Sequence, residues 1–125
     1  MIKELHRSIW ERDFTLPIEY DCYEGESVTK EQIEALTLFI SHPEWVDKAK
    51  KKVEIYCKKD VSADDTNQKK DNIFSYIKPN YYYVTRDEQP LVALLCKYRY
   101  DPEHGLAVIF SSGGSITVGM PDDYL

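Results

Sequence analysis

Leu91-Val92-Ala93-Leu94-Leu95-Cys96 is apolar at six successive positions. Side chains alternate across a strand, so a strand built from this run buries both its faces and belongs in the middle of a sheet. The candidate strand spans 91–99, and three more surround it at 81–86, 106–111 and 115–120. Their connectors are Asp87-Glu88-Gln89-Pro90, Asp101-Pro102-Glu103-His104-Gly105 and Ser112-Gly113-Gly114. Each carries residues that favour turns for known backbone reasons. Short links between neighbouring strands predict an antiparallel four-strand meander.

Upstream, the hydrophobic period changes to that of helices. Thr29 and Gln32 have capping-box spacing at the head of a segment 30–41, in which Ile33, Leu36 and Ile40 recur at helical intervals. Ser41 and Glu44 repeat the capping pattern around Pro43, which suits a first turn. A second helix to about residue 59 then carries Trp45 or Val46, Ala49, Val53 and Tyr56 on one stripe. Two helices joined by a short turn make an αα-hairpin. Residues 60–71 are polar and read as an exposed loop. Residues 72–77 read as a short helical turn or an extended approach to Pro79.

The N-terminal part, residues 10–23, reads as extended. Phe14, Leu16, Ile18, Tyr20 and Cys22 fall on one face; Asp13, Thr15, Pro17, Glu19, Asp21 and Tyr23 fall on the other. Pro17 cannot donate a ladder hydrogen bond, which places this strand at a sheet edge or a bulge. The expected architecture is α+β: one domain over 1–125, an antiparallel sheet of the meander plus the N-terminal strand, and the αα-hairpin packed on one face.

The chain has 125 residues, enough for one core without metal or disulfide. Its net charge is −6, which gives no basic footprint for nucleic acid. No run approaches the roughly 18 apolar residues that span a bilayer, and the N-terminus lacks a secretory signal. Cys22, Cys57 and Cys96 are odd in number and widely spaced, which fits a reduced, cytoplasmic protein with thiols acting as small hydrophobes. The expectation is a protein with no cofactor, no metal, no nucleic acid and no membrane among its partners.

His6, His42 and His104 lack the short spacing of a local metal site. His104 beside Asp101 and Glu103 is explained by turn geometry. The serines before Gly113-Gly114 lack a nucleophile elbow, and neither GxGxxG nor a phosphate loop occurs. Asp64-Asp65-Thr66-Asn67 lacks the glycine and terminal glutamate of a calcium loop. Lys48, Lys50, Lys51, Lys52, Lys58 and Lys59 read as a solvated helix face. In Tyr98-Arg99-Tyr100, strand alternation puts both tyrosines on one face and the arginine on the other. No enzyme is expected.

Charge is segregated along the chain. Glu11, Asp13, Glu19, Asp21, Glu24, Glu26, Glu31 and Glu34 face only Arg12 and Lys30 within residues 11–35. The candidate partner-binding residues are therefore Asp13, Glu19, Asp21, Glu24 and Glu26, with Tyr23 as an aromatic anchor. As an edge, the acidic strand could also accept a strand from a partner.

The segment from Tyr98 through Asp101-Pro102-Glu103-His104-Gly105-Leu106-Ala107-Val108 to Phe110, followed by Val118-Gly119-Met120-Pro121-Asp122-Asp123, resembles the C-terminal signature of small uncharacterised bacterial domains. Such domains are associated with immunity proteins of toxin systems, including those of contact-dependent growth inhibition. The resemblance implies a protein that binds and neutralises a cognate toxin domain, such as a nuclease. It carries over no binding residues. The alternative is a non-catalytic adaptor that binds a peptide or subunit partner, its own copy included.

Overall fold

Residues 92–96 of the apolar run lie within β4 (Val92–Tyr98), where only Lys97 is exposed. The computed structural model describes residues 2–63 and 73–125, apart from the side chains of 61–63. It contains β1 (Glu4–Ile9), β2 (Arg12–Tyr20), α1 (Lys30–Ile40), α2 (Glu44–Ala63), β3 (Ile77–Val84), β4, β5 (Leu106–Phe110) and β6 (Ile116–Gly119). A 3-10 turn, Ile73–Tyr76, leads into β3, and another, Pro121–Asp123, follows β6. The six strands form one sheet in chain order, β1 to β6. All neighbours are antiparallel except β2 and β3, which run parallel because the helical pair crosses between them.

The α+β architecture, the meander and the two helices follow the sequence reading, although β3, expected over 81–86, runs from Ile77 to Val84. Four features differ. First, β1 was not anticipated. It forms a hairpin with β2 through Trp10-Glu11, both at positive φ (49° and 74°). Such two-residue turns normally use Asn-Gly. Here Trp10 is buried, contacts the Phe74 ring at 5.0 Å and donates from Nε1 to the Val46 carbonyl at 3.0 Å. Strain of about 1–3 kcal/mol at such a position is offset by roughly that much from burying the side chain.

Second, β2 is not an edge strand: β1 covers one side and β3 pairs with the other. The Ile18 amide donates to the Lys3 carbonyl at 2.8 Å, so alternation turns the neighbouring Pro17 nitrogen towards β3. The β2–β3 ladder starts just after it, at Ile18 opposite Tyr82. Pro17 thus ends a ladder inside the sheet. Third, α1 is rotated from the expected stripe. Gln32, Leu36 and Phe39 are buried, and Ile33 is 45% exposed. The Thr29–Gln32 capping box forms, and Gln32 Nε2 also donates to the carbonyls of Asp21 (2.9 Å) and Val84 (3.2 Å). This inward glutamine ties α1 to the ends of β2 and β3. Fourth, Ser41 does not cap α2. Its hydroxyl donates back to the Leu38 carbonyl at 2.7 Å, closing α1 instead.

The helix α2 extends to Ala63, so residues 60–63 of the loop expected over 60–71 are helical instead; residues 64–72 lie outside the described residues. Among the described residues, both helices pack on one face of the sheet. There Leu36, Phe39, Trp45, Val46, Ala49, Val53 and Cys57 meet inward residues of all six strands. Phe39 sits 4.9 Å from Phe110 and 5.6 Å from Tyr82, ring to ring. Arg7 reaches under the end of α1 and donates to the Ile40 carbonyl at 2.8 Å, where a cation suits the helix dipole.

Candidate functional site

The other face of the sheet has its own apolar cluster. Ala93, Leu95, Ala107 and Ile109 form it, with Tyr81, Tyr83 and Leu91 packed at its margin. Among the described residues no helical residue joins this cluster. Small alanines at the centre of β4 and β5 keep the middle low, and the tyrosines of β3 form a wall beside them. At the far side the C-terminus folds back. A methyl group on Gly119 would come within 2.4 Å of the Tyr124 ring, so that ring lies against the strand.

This face receives the acids of β2. Glu19 stands opposite Tyr83 in the parallel ladder and is exposed; Asp21 follows two positions on. Burial raises the Tyr83 phenol above its usual range, and the Asp21 carboxylate beside it adds to the effect. Burial likewise raises Tyr81, with the charge of Glu19 contributing. Both phenols stay protonated at neutral pH, so each can donate a hydrogen bond next to an acceptor carboxylate. The result is a half-buried aromatic ridge beside two carboxylates.

A loop extends this end. The Glu26 amide donates to the Tyr23 carbonyl at 3.0 Å, closing a four-residue turn with Gly25 at φ +79°. Arg86 holds the loop from the β3–β4 connector. Its guanidinium lies 5.6 Å over the Tyr23 ring, donates to the Ser27 carbonyl at 3.1 Å and pairs with Glu26. Tyr23 remains 68% exposed and Glu24 is exposed, whereas Glu26 is engaged within the protein.

The six candidate residues therefore divide. Glu19, Asp21, Tyr23, Glu24 and Glu26 gather at one end of β2. Asp13, opposite Ser8, sits six residues before Glu19, roughly 20 Å along the strand. Tyr81 and Tyr83 were not singled out from the sequence. Their signal was present as alternation: they flank Tyr82, which is fully buried on the helix face, so they must point to the other side.

The family model of a domain of unknown function, DUF6985, matches residues 2–125. The chain belongs to the DUF6985 family. No curated protein and no solved structure matches it.

The Asp101–His104 turn and the buried thiols take structural places in this DUF6985 domain. The Asp101 carboxylate accepts from the His104 amide at 3.3 Å and meets its Nδ1 at 3.0 Å, and the Gly105 amide donates to the Asp101 carbonyl at 2.8 Å. This is the expected turn. Cys57 and Cys96 are buried, and burial raises both thiols, which keeps them protonated. Cys22 is only partly covered, unlike the buried position its alternation suggested. No group of three or more metal-ligating side chains occurs among the described residues. Among them, no helix is long and apolar enough to cross a membrane.

Proposed function

We propose that this DUF6985 domain is an immunity protein that binds and neutralises a cognate toxin domain by surface contact. The observation that supports this reading is the second sheet face, where the half-buried Tyr81 and Tyr83 stand beside Glu19 and Asp21. Tyrosines are favoured anchors at protein interfaces, and acids at their rim select a basic partner and speed its approach. A nuclease domain, basic because it binds a polyanion, has the complementary charge. Tyr23 and Glu24 extend the surface, and the Arg86 clamp holds their loop in place before any partner arrives. The partner meets a finished surface rather than a strand edge, because β2 has no free edge.

Co-expression with the toxin-like product of a neighbouring gene tests the activity. A tight complex that abolishes toxicity is expected, and the absence of any complex with such a protein overturns the proposal. The surface is tested by Glu19→Lys with Asp21→Lys. Close interfacial charge pairs couple by about 1.5–7 kcal/mol, so affinity should fall at least about tenfold with the melting temperature little changed. Unchanged affinity would move the interface elsewhere.

A further inference from the structure

At the end of the same face away from Glu19, three cations converge. Lys78 of β3 and Lys97 of β4 are directly opposite one another in the antiparallel ladder, and both are exposed. Side chains at such positions stand about 5 Å apart at Cβ, and like charges there destabilise a sheet. Neither ammonium forms an ion pair among the described residues. Arg99 follows on the same side of an open hollow of about 730 Å³ that the three share with Tyr76 and Tyr98. Its guanidinium is held 4.9 Å from the Tyr76 ring centre, and its amide donates to the Tyr76 carbonyl at 2.9 Å. Tyr98 is fixed by donating its hydroxyl to Asp60 at 2.8 Å. Among the described residues no carboxylate lines the hollow, although acids outnumber bases 22 to 16 in the chain.

We propose that this hollow binds the phosphate group of a small phosphorylated molecule, held by Lys78, Lys97 and Arg99 beside the Tyr76 ring. A phosphate monoester carries close to two negative charges and three acceptor oxygens, which matches two ammonium groups and one planar fork. Its volume falls in the range of small-molecule sites. The net charge of −6 opposes the approach of an extended polyanion, whereas a compact dianion meets the local cations. The unrelieved Lys78–Lys97 pairing is then a stability cost kept for binding. The proposal does not depend on a toxin partner.

Thermal shift and calorimetry of the whole protein test it with inorganic phosphate, phenyl phosphate, phenol and a single-stranded oligonucleotide. Both phosphates should raise the melting temperature, phenyl phosphate more, and phenol should not. Lys78→Gln with Lys97→Gln should weaken phenyl phosphate by at least about tenfold. Without ligand the same variant should melt about 1–2 °C higher, because the like-charge pair is gone. Lys48→Gln with Lys51→Gln, exposed on α2, should change neither. No phosphate response at millimolar concentration overturns the proposal, as does equal binding by the Lys78/Lys97 variant. Tighter binding of the oligonucleotide than of phenyl phosphate overturns it in favour of nucleic acid.

Discussion

On one side of the sheet, Phe39 of α1 is pressed against Phe110 and Tyr82; on the other, Tyr81 and Tyr83 edge the cluster of Ala93, Leu95, Ala107 and Ile109, which no described helix joins. The strands are the same and their alternation supplies both sets of side chains. The difference lies in what closes each face. The helix side is filled to the packing density of a core, so each side chain there is held by many neighbours. The open side is closed by its own tyrosines, which leaves them half-buried and able to meet another molecule. Stability is therefore concentrated on one face, and the proposed binding surface lies on the other.

The largest expected effect separates the two faces directly. Phe39→Ala should cost about 3–5 kcal/mol in urea unfolding, because it empties a fully buried site between two rings. Tyr83→Ala should cost about 1 kcal/mol, the scale of a cross-strand pair, since the ring is half-buried and its ladder partner is Ala93. Equal losses would mean that the second face is as much a core as the first.

A pair of glycines sharpens the same contrast. Gly105 has φ +76°, and a Cβ there would lie 2.5 Å from the Cys96 carbonyl oxygen, a backbone atom that cannot swing away. Gly105→Ala should lose about 1–3 kcal/mol or more. At Gly119 the obstacle is the Tyr124 ring, on a side chain 47% exposed. Gly119→Ala should cost less than about 1 kcal/mol, with the ring displaced, since surface changes that leave the backbone unstrained are small. Similar unfolding energies for the two variants would show that the C-terminal turn is fixed as firmly as the strands.

The meander was legible because β4 is apolar on both faces and its connectors hold Pro and Gly, two signals that agree. The helices were legible from period and from the Thr29–Gln32 box. The N-terminal hairpin was not, because its turn is Trp10-Glu11. No local propensity encodes that turn; it is held by contacts 36 and 64 residues away, with Val46 and Phe74. Missing β1 made β2 look like an edge. The acidic end of the site was legible in composition, since Glu19 and Asp21 alternate with core positions. Its aromatic half was hidden because Tyr81, Tyr82 and Tyr83 are chemically alike in sequence and differ only in the face that strand pairing gives them. The Lys78–Lys97 pairing was hidden for a similar reason: it exists only through register, which a bulge between Pro79 and Tyr81 resets.

The smallest effect concerns the turn at the border of the open face, where His104 and Tyr81 line one hollow of about 220 Å³. The hydrogen bond and charge of Asp101 raise the His104 pKa above its ordinary value of 6.5. A folded-state pKa above the unfolded one means that folding favours the protonated ring. The added stability is full below pH 6.5 and is lost as pH rises through the higher folded value. The ring is exposed and water screens it, so the readout is the titration itself. Proton NMR should place the His104 midpoint above 6.5, and Asp101→Asn should return it towards 6.5. If His104 titrates at 6.5 in the unaltered protein, the turn is held by its backbone bonds alone, and this border of the open face carries no charge that pH could switch on near neutrality.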